Sequence, residues 1–257
     1  MAEGWQTAAL AEKIPDQVLK HAPSLVRQVL AKEAGGLQVS WEFSFHRNWL
    51  VVRAKGEDAE AFSNLLVGKF GEVPLDRAKL ERWDVFKGFI TGAGKVGFGV
   101  YIDFGLLEPT AKDALYPLHR MRAQLTDGVA KSCREILQEN ALVDYFPVKV
   151  VVTDLDGEKV SVELTDETRD PLLSWKRFPF DRVIAVGLTR QQAEEAVRAV
   201  RLHYDIIRVE SLSLFVQCLL CKIGTDAPGI IARIGRELRG VALASYRTPR
   251  KLQESHA

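Results

Sequence analysis

The sequence predicts an α+β protein in three parts: a small five-stranded barrel set between two split α/β sandwiches. Three observations carry this expectation. Hydrophobic periodicity spells strand-helix-strand-strand-helix over residues 5–71 and repeats that order, with one further strand, over 181–249. Between them, residues 83–167 change rhythm to short strands, frequent glycines and one helical insert. The length, 257 residues with 47% apolar and 27% charged side chains, gives an ordinary soluble composition with room for two or three domains. The expected divisions are 1–80, 81–170 and 171–257.

In the first part, WQTAALAEKI can form a strand. PSLVRQVLAKEAGG reads as a helix with Leu25, Val26, Val29 and Leu30 on one face and Gly35 at its end. LQVSWEFSFH alternates without a break. Leu37, Val39, Trp41, Phe43 and Phe45 fall on one face, and Gln38, Ser40, Glu42, Ser44 and His46 on the other, as in a half-buried antiparallel strand. HRN turns the chain into WLVVRAKG, and DAEAFSNLLVGKFG is a second helix packed through Phe62, Leu65, Leu66 and Phe70. This order is that of a ferredoxin-like α/β sandwich.

The last part follows the same plan. DRVIAVG is a strand, and LTRQQAEEAVRAVRLHY a helix opened by Thr189 with Gln192 three residues on, a capping box. DIIRVESLS and LFVQCLLCKIG pair as a hairpin. DAPGIIARIGREL is the second helix, with Asp226 at its N-cap and Pro228 in the first turn, and VALASYRTP closes the sheet.

The centre holds WDVFKGFITGAG, GFGVYIDFG, DALYPL, FPVKVVVTDLDGEK and VSVELTD as five strands, with RMRAQLTDGVAKSCREILQEN as a helical connection after the third. That is the order of a small OB barrel. In the second strand, alternation puts Phe98, Val100, Ile102 and Phe104 on one face and Gly97, Gly99, Tyr101 and Asp103 on the other. Its glycines suit a strongly curved strand.

Several chemistries are set aside. GAGKVGFG lacks the GK[ST] that opens a phosphate-loop helix, because Lys95 leads into Val96 and a strand. GFGVYI lacks the helix that a dinucleotide fingerprint requires. No GxSxG or HExxH occurs, and the five histidines are scattered, so neither a catalytic residue nor a metal site is expected. Cys218 and Cys221 form a CxxC inside a strand, where odd spacing separates them onto opposite faces. No apolar run reaches membrane length and no leader peptide is recognisable, so a cytoplasmic location is expected. The net charge of +1 conceals an asymmetry: from Lys176 onward there are 14 Lys and Arg against 8 Asp and Glu. A basic C-terminal third points to an anionic partner.

GFITGAGKVGFGVYIDFG followed by DALYPLHRM resembles the S1-type RNA-binding domain, a subfamily of OB folds. Gly88 matches the glycine that opens the family's first strand, Phe98 to Asp103 its second strand, and Asp113-Ala114-Leu115 the start of its third. VKVVVTDLDGEKVSVELTD is similar to its closing hairpin. Phe98 and Tyr101 take the family's two aromatic positions, and their odd spacing puts them on opposite faces unless a bulge intervenes. Pro117 stands where the family often has histidine, and His119 follows two residues later. The chain as a whole resembles an archaeal protein family with no assigned activity, through KVGFGVYIDFG, KDALYPLHRMRAQL and CKIGTDAPGIIARIGREL. Finally, GTDAPGIIARIGREL resembles the signature of ACT domains, which bind amino acids where a loop enters a helix. Thr225, Asp226 and Gly229 would form that site.

These readings imply a non-enzymatic RNA-binding protein without cofactor, working with a ribonucleoprotein machine such as the ribosome or RNA polymerase. Phe98, Tyr101 and Phe104 would stack bases, with Lys95, His119, Arg120 and Arg122 beside them for phosphates. Arg233, Arg236 and Arg239, spaced three apart, with Arg247, Arg250 and Lys251, would extend the contact. The alternatives are an ACT-like amino-acid sensor and an adaptor that uses the barrel to hold a protein.

Overall fold

The computed structural model describes residues 4–108 and 110–248. Its first sheet contains β1 (Gln6–Lys13), β2 (Ser40–His46) and β3 (Trp49–Lys55), with α1 (Ala22–Glu33) and α2 (Ala59–Phe70) on one face. The strand order is β1-β3-β2, antiparallel throughout. Arg47 and Asn48 make the two-residue hairpin with φ of 49° and 70°, the double positive φ that matches strand twist. β2 keeps the expected alternation, with Trp41, Phe43 and Phe45 half-buried and the polar residues outside. Phe62, Leu66 and Phe70 bury the face of α2, whereas Leu65, expected with them, is exposed.

The centre is a closed five-stranded barrel of β5 (Val85–Thr91), β6 (Gly99–Glu108), β7 (Lys112–Pro117), β8 (Pro147–Asp156) and β9 (Lys159–Leu164). A two-residue β4 (Leu75–Asp76) pairs with β6 on its outside. β5 pairs with β6 and β8, β6 with β7, and β8 with β9, all antiparallel. A parallel bridge between Leu115 of β7 and Ser161 of β9 completes the ring. Between β7 and β8 the insert is two helices rather than one, α3 (Leu118–Leu125) and α4 (Cys133–Glu139). Asp127 and Gly128, with φ of 50° and 79°, end the first, and a Ser132–Glu135 capping box starts the second.

After the barrel comes α5 (Asp166–Trp175), which the sequence reading leaves unassigned because Pro171 interrupts it. The last sheet has β10 (Arg182–Val186), β11 (Ile206–Ser213), β12 (Val216–Cys221) and β13 (Ala242–Tyr246) in the order β11-β12-β10-β13, with α6 (Arg190–Ala199) and α7 (Ala227–Ile234) on one face. α6 carries the expected Thr189–Gln192 capping box but stops five residues before Tyr204. β10 and β12 are buried along their whole length. Val183, Ala185, Leu219 and Cys221 face the helices; Ile184, Val186, Val216 and Cys218 join the barrel core. The CxxC thiols therefore lie on opposite faces, and burial pushes both up to about 12. Among the described residues, no helix is long and apolar enough to cross a membrane.

The flanking domains both pack on the barrel. Trp175 meets Phe146 of the barrel and Tyr246 of the last sheet edge-on, at 6.5 and 5.4 Å. On the other side, Ala9, Ala11 and Trp49 of the first sheet cover Phe89 and Leu107 on the outside of β5 and β6. One carboxylate links all three parts. Glu12, only 3% exposed, pairs with Lys87 of β5 and accepts the Leu214 N–H at 3.1 Å from the β11–β12 turn. The next residue in that turn, Phe215, enters the core of the first domain.

Candidate nucleic-acid interface

β6 decides which aromatic groups reach solvent. Val100, Ile102 and Phe104 point into the barrel, as alternation requires, and are fully buried. Phe104 stacks on Phe86 at 5.2 Å and is a core residue, which corrects its assignment as a base platform. Phe98 does not continue that inward row. It precedes the first paired residue, Gly99, and its ring stands 56% exposed. Gly99 is required there because a Cβ would lie 2.5 Å from the Tyr116 carbonyl of β7. The outward row begins at Tyr101, half-exposed, opposite Leu115 on β7. Phe98 and Tyr101 thus meet on one outer surface, ring centroids 6.3 Å apart and planes at 90°.

The backbone under this pair is fixed. The Phe98 carbonyl accepts the Leu118 N–H at 2.8 Å, and the Cys133 thiol donates to the Gly99 carbonyl at 3.1 Å. In the β5–β6 loop, Asp144 accepts the Ala93 N–H at 2.6 Å, and Lys95 closes a turn onto the Gly92 carbonyl at 3.0 Å. Lys95 and His119 are both exposed, the latter one residue beyond the Leu118 anchor.

The lower half of the same face is closed. Asp103 pairs with Lys13 of β1, which itself lies over the Trp49 and Tyr145 rings. Gly105, at φ +84°, lets Val73 approach so closely that a Cβ would sit 2.5 Å from the Val73 Cβ. Asp113, exposed on β7, has its carboxyl raised above the usual carboxylate range by loss of hydration and by Asp103, with Lys13 opposing. Lys13 has no place in the sequence reading, and Asp113 and Leu115 enter it only as the start of the third strand. The irregular register between Ile102 and Leu106 hides the β6–β7 pairing, and only the tertiary docking brings Lys13 near.

The remaining cations divide. Arg120 is paired with Glu163 of β9 at 3.2 Å. Arg122 donates to the Lys131 carbonyl at 2.8 Å and braces the α3–α4 connection, so it is not the free phosphate partner expected. α7 ends at Ile234, so Arg233, Arg236 and Arg239 do not share a helical face. Arg233 is held by Asp205 at 2.8 Å, whereas Arg236 and Arg239 are exposed beyond the helix end. Arg247 is exposed, 3.9 Å from Asp226. Arg250 and Lys251 lie outside the described residues.

The start of α7 is filled by the protein's own carboxylates. Asp226 accepts the Gly229 N–H at 2.8 Å and Asp181 accepts the Ala227 N–H at 3.1 Å, while the half-buried Thr225 donates its N–H to the Lys222 carbonyl. These are the donors an amino-acid carboxylate would need, and that argues against a ligand there. Among the described residues, no group of three or more His, Cys, Asp or Glu side chains is arranged to hold a metal ion.

No curated protein matches the chain. Among solved structures it is similar to the crystal structure of ttk003000868 from Thermus thermophilus, at 11% identity and a TM-score of 0.18. That likeness covers 97% of this chain, which spans only 42% of the other, and it carries no argument. Family models match in sequence order: the DUF2110 N-terminal domain over residues 9–76, the DUF2110 central domain over 80–176 and the DUF2110 C-terminal domain over 180–245. Matched through all three of its domains, the chain belongs to the DUF2110 family.

Proposed function

We propose that the central barrel is an OB-type, S1-like module that binds single-stranded RNA on the open half of its second and third strands. The observation that carries this reading is the Phe98–Tyr101 pair, two rings held edge-to-face on a fixed backbone at the outer surface of β6. OB barrels take nucleic acid on strands 2 and 3 and the adjoining loops, the surface this pair occupies. The pairing scheme of β5 to β9, with helices between β7 and β8, supports the OB reading. The β11-β12-β10-β13 and β1-β3-β2 orders support ferredoxin-like flanks.

The role is binding rather than catalysis. Each base stacked on an aromatic ring contributes roughly 1–3 kcal/mol and asks for no particular sequence. With Arg120 and Arg122 engaged elsewhere, Lys95 is exposed beside the pair without an ion pair among the described residues, and the exposed His119 ring offers a further polar contact. Stacking therefore outweighs counterion release. One or two phosphate contacts give a salt slope of only about −0.7 to −1.4 for a single strand.

The test is fluorescence anisotropy with a labelled oligouridine across a salt series. Saturable binding with that shallow slope supports the reading. No binding at low salt, or a slope as steep as a purely electrostatic contact gives, contradicts it.

A further inference from the structure

The C-terminal domain carries a second surface of the same chemistry, on different elements from the Phe98–Tyr101 pair. α6 ends at Ala199, and the chain turns through Arg201, at φ +56°, before entering β11. Leu202 anchors this loop in the core. The two residues after it point outward: His203 and Tyr204 pack ring on ring at 4.1 Å, and Tyr204 is 73% exposed, the most exposed large apolar side chain described. Pairing of Ile206 with Cys221 brings the end of β12 alongside, where the Lys222 N–H donates to the Asp205 carbonyl at 2.8 Å. The loop is braced from α7 by Arg233, which binds Asp205 and the Val200 carbonyl.

That brace also settles the charge. Arg233 neutralises Asp205, the one acid in the loop, and leaves Arg198, Arg201 and Lys222 exposed without ion pairs among the described residues. A solvent-facing ring flanked by unpaired cations offers a stacking face and anion partners on one surface. An acidic peptide needs the cations but no flat ring beside them. A single strand of RNA uses both, its phosphates on the cations and a base on the Tyr204 face.

We infer that this corner is a second contact for single-stranded RNA, with Tyr204 as the stacking group and Arg198, Arg201 and Lys222 as phosphate partners. The inference rests on the RNA reading of the barrel and extends it from one surface to two. The two can fail separately.

The experiment is ultraviolet crosslinking of the full chain to a photoreactive oligouridine of about 30 nucleotides, longer than the ~4–16 that one OB surface occupies. Crosslinked peptides are mapped, and affinity is measured alongside by anisotropy. The expected result is crosslinks both near Tyr101 and near Tyr204. Y204A should remove the second set and weaken binding about tenfold. R198A/R201A/K222A should do the same and remove the extra salt slope of about −2 that the corner adds, on this longer strand, to the barrel's own shallow slope. All are surface changes, and an unchanged Tm confirms the fold.

If both variants bind and crosslink as the parent does, the corner is not an RNA contact, whatever the barrel does. Crosslinks at Tyr204 with none near Tyr101 in the parent chain, and unaltered affinity in F98A/Y101A, uphold the corner and sink the barrel reading. Binding of an acidic polypeptide or of anionic vesicles at Tyr204, with no RNA crosslink there, overturns the inference.

Discussion

The two halves of β6 have the same alternation and opposite fates. At one end, Phe98 and Tyr101 face solvent; at the other, Asp103, Gly105 and Leu107 disappear under β1, Val73 and Trp49. Nothing in the strand itself makes this division. It is made by what docks, and docking is decided by shape and charge at a few points: a glycine that lets Val73 in, a lysine that meets Asp103, and a tryptophan laid on Phe89 at 5.6 Å. Half of the face that the proposed RNA reading needs is thereby committed to the protein's own architecture. The open half is short, and it compensates by holding two rings rather than one.

The comparison can be broken most severely at Gly105. Gly105→Ala adds a methyl group 2.5 Å from Val73 in a left-handed backbone, which costs roughly 2–5 kcal/mol from conformation and overpacking together. A large fall in Tm with increased proteolysis of the first domain is expected. An unchanged Tm would mean that the first domain is not seated on β6 as described. Glu12→Ala comes next, since it removes the carboxylate shared by Lys87 and Leu214. The loss should fall toward the lower end of the about 3–5 kcal/mol typical of a broken buried pair, because Lys87 keeps a path to water.

The smallest effect is at Asp113. Its raised carboxyl pKa means that the folded state holds the proton more tightly than the unfolded chain does. The resulting penalty is absent below the ordinary carboxylate value and is present in full once pH exceeds the folded value. Asp113→Asn should therefore raise Tm slightly at neutral pH and leave it unchanged in acid. A lower neutral-pH Tm would reverse the assigned sign.

Much of the fold is legible in the sequence, and the reasons are local. The faultless alternation of residues 37–46 announces a strand with one half-buried face, and the apolar run around Val216–Cys221, broken only by Gln217, a strand buried on both. Thr189 and Gln192 mark the start of α6 by their spacing alone. The failures are where tertiary contact overrides pattern. α5 is hidden by Pro171, and the longer helix expected through Leu238 stops at Ile234. Phe98 and Phe104 share a parity in sequence, but strand pairing begins only at Gly99, so one ring is free and the other is core. Arg122 looks like a phosphate ligand until the Lys131 carbonyl is placed beside it.

The central claim is that the open half of β6 holds RNA by its rings. It is tested most directly by the affinity of F98A/Y101A for an oligouridine, measured beside its thermal stability. The account predicts a loss of roughly 2–6 kcal/mol of binding for the two stacks together, with Tm nearly unchanged because neither ring lies in the core. Unaltered affinity in folded F98A/Y101A would contradict it.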